Sequence, residues 1–248
     1  MIVVPCFNEE TRLDGDAFLD HARLHSDVGF LFVDDGSRDG TAARLAELRA
    51  REPNAIAVHA MPQNSGKAEA VRTGMLVAFG TGCESAGYWD ADLSTPLGEI
   101  ARFREILDAD PAILAVLGCR VRRLGADVRR RNVRHYLGRV FATGASVALG
   151  LPVYDTQCGA KLFRADTRVL AAFAAPFSSR WAFDVEVLAR LRAGVDGPAA
   201  ERLFYEQPLS RWRDVPGSKL GARHMVVALF DLLQIWRIRS VSRGRVSG

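Results

Sequence analysis

Gly87-Tyr88-Trp89-Asp90-Ala91-Asp92-Leu93-Ser94-Thr95-Pro96 is an apolar run that ends in two carboxylates one residue apart, just before a helix start. Such a pair suits a divalent cation: Mg2+ or Mn2+ takes hard oxygen ligands and shares its shell between carboxylates and substrate phosphates. Alone, the triplet is a weak signal. Upstream, Val4-Pro5-Cys6-Phe7-Asn8-Glu9-Glu10 and Phe32-Val33-Asp34-Asp35-Gly36-Ser37 repeat the pattern. Three strand ends therefore deliver carboxylates to one edge of one sheet.

Working outward, short apolar runs at 2–4, 30–33, 55–59, 87–89 and 113–117 alternate with helical spacing at 41–51, 67–79 and 97–107. The alternation predicts an α/β fold with a mostly parallel central sheet flanked by helices. In open sheets of this kind ligands bind beyond the carboxyl ends of the strands, where the acidic clusters fall.

The chain has 248 residues and a mass of 27.2 kDa, enough for one large domain or one domain with an appendage. Cys6, Cys83, Cys119 and Cys158 are scattered without a Cys-x-x-Cys, which favours small buried hydrophobes over disulfides or thiolate metal sites. No basic, apolar leader opens the sequence, so a cytoplasmic location is expected.

Net charge is only +4, but it is unevenly spread. Arg120, Arg122, Arg123, Arg129, Arg130, Arg131, Arg134 and Arg139 cluster with Asp127 as the only acid among them. Nucleic acid is not expected, because aromatic interleaving and known modules are missing. A solvated face or a site for anionic lipid headgroups fits better. The apolar run at 140–149 is too short to span a bilayer and reads either as a core helix or as an interfacial one. The stretch 224–238, followed by Arg237, Arg239, Arg243 and Arg245, suits an interfacial helix or one packed on protein. The expected division is a catalytic domain over 1–215 and an amphipathic C-terminal helix with a basic tail over 216–248.

Pro5-Cys6-Phe7-Asn8-Glu9, the run from Val33 to Thr41, Asn64-Ser65-Gly66-Lys67 and Asp90-Ala91-Asp92 resemble, in order and spacing, the inverting family 2 glycosyltransferases of GT-A fold. Asp155-Thr156-Gln157-Cys158-Gly159-Ala160-Lys161, Arg180-Trp181-Ala182-Phe183-Asp184 and Gly217-Ser218-Lys219 look like its polyprenyl-phosphate hexosyltransferase branch, which includes the dolichyl-phosphate β-glucosyltransferases. The membrane-spanning segment that many relatives carry at one end is not seen in this sequence.

The resemblance implies roles residue by residue. Pro5, Phe7, Glu9, Asp34, Asp35 and Lys67 would bind the nucleotide. Asp92 would bind Mg2+ or Mn2+, and Asp90 metal or ribose. Asp184 would be the base for a hydroxyl acceptor, or would orient sugar or acceptor where the acceptor is an anionic phosphate. Asp155, Gln157, Lys161 and Trp181 would line the donor-sugar and acceptor region. Arg120 and Arg131, or its neighbours Arg129 and Arg130, would grip the acceptor phosphate. Lys219 would close over the diphosphate. The expected reaction is glucose transfer from UDP-glucose to polyprenyl phosphate, on a protein bound peripherally to the inner membrane face and able to form homo-oligomers. The alternatives are GDP-mannose as donor, a glycan hydroxyl as acceptor, or a silent nucleotide-sugar binder. A sugar-1-phosphate nucleotidyltransferase would carry a Gly-rich basic loop after the first strand, where Pro5-Cys6-Phe7-Asn8-Glu9 stands instead.

Overall fold

The computed structural model describes residues 1–129 and 132–213 together with 231, 232, 235 and 236; the side chains of 129 and 132–137 are not described. Its elements are β1 (Ile2–Cys6), α1 (Gly15–Leu24), β2 (Phe30–Asp34), α2 (Thr41–Arg51), β3 (Ile56–Ala60), α3 (Lys67–Gly80), β4 (Ser85–Trp89) and α4 (Glu99–Ala109). There follow β5 (Ala115–Cys119), β6 (Asp127–Arg129), α5 (Asn132–Leu149), β7 (Ala160–Arg164), α6 (Thr167–Ala174), α7 (Phe183–Leu191), α8 (Pro198–Glu201), β8 (Phe204–Pro208) and β9 (Arg211–Arg213).

Seven strands form one sheet in the order β3-β2-β1-β4-β7-β5-β8. Every pairing is parallel except those of β7, which runs antiparallel to both neighbours. β6 and β9 make a separate parallel pair. The sheet is buried on both faces, so its strands read as continuous apolar runs, yet each residue serves one face. Val3, Leu31, Val33, Tyr88, Leu117 and Phe163 enter one core with α3, α6 and α7. Ile2, Val4, Phe30, Phe32, Trp89, Val116 and Leu162 enter the other with α1, α2 and α4. Phe18 of α1 stands edge-on to Phe30 and Phe32 at 5.2 and 5.0 Å.

Helix α3 lies against the sheet because Gly74 leaves room: a Cβ there would meet Val3 Cγ1 at 2.3 Å. That contact helps set where its first residue, Lys67, emerges beyond the strand ends. Helix α1 is capped by Asp14, whose carboxylate accepts from Ala17 N at 3.1 Å.

The 140–149 run lies on α5 as a core helix, with Phe141, Ala145 and Leu149 buried and Val140 and Val147 exposed. Among the described residues no helix is long and apolar enough to cross a membrane. Of the C-terminal stretch, Leu232 and Ile235 are buried in the core and Trp236 is half-exposed. The remainder of 216–248, with Lys219 and the expected amphipathic helix, lies outside the described residues, as do Arg130 and Arg131 and the side chain of Arg129.

Candidate active site

The carboxyl ends of β1 and β2 are adjacent, with Cys6 opposite Asp34, and their loops are laced together. Asn8, at φ +54°, donates its N–H to Ser37 Oγ and accepts from Arg38 N through Oδ1. Asn tolerates this left-handed backbone better than most residues. Glu9 N donates to Thr41 Oγ1 at 2.8 Å, so the start of α2 is tied to the loop after β1.

Asp34 accepts from Ser37 N at 3.0 Å. Asp35, 2% exposed, accepts from Ser65 N at 2.7 Å, Gly66 N at 2.8 Å and Asn64 Nδ2 at 3.1 Å. Burial raises the Asp35 pKa, opposed by those two backbone N–H groups; Arg180, missed as a site residue in the sequence, lies within electrostatic reach. Both carboxylates thus shape the loops around the expected nucleotide position, and Asp35 pins the loop that starts α3.

Asp90 and Asp92 follow β4. Asp90 N donates to Gly159 O at 3.0 Å, joining the end of β4 to the start of β7. A Cβ on Gly159 would lie 1.8 Å from Asp90 Oδ2, so only glycine leaves room for this carboxylate. Asp90 Oδ1 pairs with Lys67 Nζ. Against partial loss of solvent, Asp90, Asp184 and Asp92 together hold the Lys67 ammonium above its ordinary pKa. Asp92 Oδ1 accepts from both Ser94 N, at 3.0 Å, and Ser94 Oγ. Its Oδ2 faces Arg12 Nη2 at 3.9 Å. Leu93, between Asp92 and Ser94, has φ +53°, a strained conformation for a branched residue.

Arg12 is a second residue the sequence did not single out. It pairs with Glu9 at 2.9 Å and so bridges the loops after β1 and β4. Burial raises the Glu9 pKa, which Arg12 partly offsets. The signal for Arg12 was only its place three residues after Glu9, indistinguishable from a surface arginine.

Beneath lies Asp184 at the start of α7. Its Oδ1 accepts from Tyr88 OH and from Lys161 Nζ, both at 2.5 Å, and Lys161 Nζ also donates to Cys158 O at 2.6 Å. Lys161 and Tyr88 are fully buried and Asp184 is 6% exposed. Burial, with Asp184 close by, pushes the Tyr88 phenol well above its ordinary pKa, keeping it a donor. Tyr88 reads in the sequence as plain core.

Arg120 does not stand free. It grips Asp155 two-pronged, Nε to Oδ2 at 2.7 Å and Nη2 to Oδ1 at 2.8 Å, with its guanidinium 5.2 Å from the Trp212 ring centre. Against burial, Asp155 raises the Arg120 pKa further. Glu206 on β8 holds the same turn by accepting from Tyr154 N and Asp155 N at 2.8 Å. Gln157 N donates to Asp155 Oδ1 at 3.3 Å, while its buried Nε2 has no partner among the described residues. Trp181 N donates to Ser179 Oγ at 3.2 Å. Pro5 lies on β1, and Phe7 directly follows that strand.

Electrostatics thus bring Lys67, Asp90, Asp92, Asp184, Lys161, Glu9 and Arg12 into one cluster. Asp155, on the turn before β7, and Arg120, directly after β5, lie beside it. Among the described residues, no group of three or more His, Cys, Asp or Glu side chains is arranged to hold a metal alone.

The chain is similar to known proteins. Residues 1–168 match the model of glycosyl transferase family 2. A dolichyl-phosphate beta-glucosyltransferase of Dictyostelium discoideum is 31% identical, over 96% of this chain and 76% of the relative. The Homo sapiens protein of that name is 29% identical, over 98% and 78%. Among solved structures, glucosyl-3-phosphoglycerate synthase from Mycobacterium tuberculosis in complex with Mn2+, uridine-diphosphate and phosphoglyceric acid has a similar fold. Its TM-score is 0.64 at 20% identity, covering 93% of this chain and 77% of that one. With its parallel sheet, the antiparallel β7 and the acid pair after β4, the chain belongs to glycosyl transferase family 2 and is a glycosyltransferase.

Proposed function

We propose that this enzyme transfers glucose from UDP-glucose, with inversion, to the phosphate of a polyprenyl lipid, giving a β-linked polyprenyl phosphate sugar. The observation that carries this reading is the match, over nearly the whole chain, to relatives named dolichyl-phosphate beta-glucosyltransferase. The state of Asp184 supports a phosphate acceptor. One of its oxygens already accepts from a phenol and an ammonium. A lipid monophosphate is anionic near neutral pH and attacks the anomeric carbon without giving up a proton, so Asp184 is left to orient rather than deprotonate.

The residues present fit a divalent cation. Among the described residues, Asp90 and Asp92 each keep one carboxylate oxygen without a hydrogen bond, and the diphosphate of the donor would complete the shell. Among the described residues of the cluster, Glu9, Asp90, Asp92 and Asp184 stand against Arg12, Lys67 and Lys161, four negative charges to three positive. A diphosphate entering this cluster needs a cation beside it. Bound there, Mg2+ or Mn2+ would neutralise the departing diphosphate. Lys67 would exchange Asp90 for a phosphate oxygen, Glu9 and Asp34 would stand beside the nucleoside, and Gln157 Nε2 would donate to a sugar hydroxyl. Arg131 and Lys219 are proposed to meet the two phosphates. The enzyme would work peripherally at the cytoplasmic membrane face.

The test is UDP release from UDP-glucose with Mg2+ in detergent, with and without polyprenyl phosphate. Lipid-dependent release, with glucose recovered in the lipid phase, is the expected result. Release with GDP-mannose instead, or with a soluble acceptor alone, would overturn the choice of substrates.

A further inference from the structure

The apolar stretch near the C-terminus is interrupted by Asp231, which neither a core helix nor an interfacial helix requires. Its Oδ2 accepts from Ser179 Oγ at 2.5 Å. Ser179 is 2% exposed, and the same hydroxyl oxygen accepts from Ala182 N at 2.7 Å and Trp181 N at 3.2 Å. Those amides lie at the entrance to α7, where Ala182 O in turn accepts from Val185 N and Glu186 N. Glu186 turns back to accept from Ser178 N and Ser179 N at 2.9 and 3.1 Å, and is itself held by Arg190. Asp184, the second residue of α7, is thus carried by a turn whose central hydroxyl is oriented from the C-terminal stretch. Leu232, beside Asp231, is buried and reaches α5, where a Cβ on Gly144 would lie 3.1 Å from Leu232 Cδ1.

We infer that Asp231 is a positioning residue for the transfer reaction: by fixing the Ser179 hydroxyl it sets the 178–182 turn, and through it the placement of Asp184. A hydroxyl with one proton that donates to Asp231 has its lone pairs directed at Trp181 N and Ala182 N. Without that acceptor it is free to rotate, and the turn leading into α7 loosens. The inference rests on the reading above only for the substrates used to measure turnover.

The experiment compares Asp231→Leu, Asp231→Asn and Ser179→Ala with the wild type, using UDP-glucose and polyprenyl phosphate in detergent. In Asp231→Leu, kcat should fall about fivefold, within the loss expected of Asp184→Asn itself. KM for UDP-glucose should change less than kcat, because Asp231 itself lies outside the proposed donor site, and Tm should hold, because leucine suits the apolar stretch in which it stands. Asp231→Asn, whose amide oxygen still accepts from Ser179, should keep at least about half of kcat. Wild-type kcat in Asp231→Leu, or equal impairment of Asp231→Asn, would overturn the inference. Should Asp231→Leu fail to fold, Ser179→Ala removes the same bond from the other side, and wild-type kcat there overturns it. Should the wild type transfer nothing to polyprenyl phosphate, the substrate reading alone fails, and hydrogen exchange decides the link. Faster exchange of the Trp181 and Ala182 amides in Asp231→Leu supports it, and unchanged exchange refutes it.

Discussion

Replacing Lys161 by Met tests whether the buried pair under the site holds the fold as well as the chemistry. Lys161 has no solvent exposure and the Asp184 side chain has 8%, so water screens this 2.5 Å pair little. Met keeps the volume and removes the charge. Asp184 is then left as a buried carboxylate with Tyr88 OH as its donor, and Cys158 O loses its partner. Removing one member of a buried pair costs about 3–5 kcal/mol. In a domain of this size that lowers Tm by about 6–20 °C. The double variant Lys161→Met/Asp184→Asn also removes the stranded charge and leaves an oxygen for Tyr88. It should recover at least about 2 kcal/mol of the single variant's loss. Urea denaturation of the four proteins gives the coupling directly. A Lys161→Met variant within about 1 kcal/mol of the wild type, or a double variant showing the plain sum of the single losses, would refute the reasoning.

Asp92→Ala should abolish turnover at every Mg2+ or Mn2+ concentration while leaving the circular dichroism spectrum and Tm unchanged; rates like the wild type's would remove Asp92 from the proposed metal site. Asp184→Asn should lose less than about tenfold in kcat with polyprenyl phosphate, and a loss near 10³-fold or more would show that a proton must be taken from the acceptor. Gly159→Ala drives a methyl group into Asp90 Oδ2, so it should weaken Mn2+ binding in the presence of UDP, read by calorimetry, more than it lowers Tm. Burial raises the thiol pKa of Cys6, Cys119 and Cys158, whereas Cys83 is half-buried. A disulfide reagent at pH 8 should therefore label Cys83 alone in the native protein and all four thiols in urea.

Much of this architecture is written locally. The ends of β1, β2 and β4 announce themselves because an apolar run gives way to Asn8-Glu9, Asp34-Asp35 and Asp90-Ala91-Asp92 within a residue or two. The acidic residues duly stand at one edge of the sheet. The strand at 113–117 was displaced by two residues from β5, because Ile113 and Leu114 are apolar yet precede the ladder. Partners remote in sequence left no such trace. β7 contains Lys161, and a charged residue inside a strand argues against burial until Asp184, on another element, is seen to neutralise it. Arg120 and Asp155 are thirty-five positions apart, so an arginine expected at a phosphate is found engaged by a carboxylate. Asp231 looked like a break in an amphipathic pattern because its partner, Ser179, lies fifty-two positions away.

The two lysines of the cluster show how one charge type divides into scaffold and reagent. Lys161 Nζ is enclosed, with three acceptor and ring contacts to Asp184, Cys158 O and the Tyr88 ring fixing it. Moving it would strand Asp184. Lys67 is 43% exposed along its side chain and pairs with an Asp90 carboxylate that is 33% exposed. An exposed pair of this kind contributes little to stability and exchanges partners at small cost. Its place at the first turn of α3, where the helix dipole also favours anions, would give an arriving diphosphate both a mobile cation and a fixed dipole. In the proposed reaction the Lys67 ammonium would leave Asp90 for a phosphate oxygen, and the freed carboxylate would then help Asp92 hold the divalent cation. Lys161 holds Asp184 still throughout. The ion pair that can break therefore stands at the surface of the site, and the pair that must not break lies beneath it.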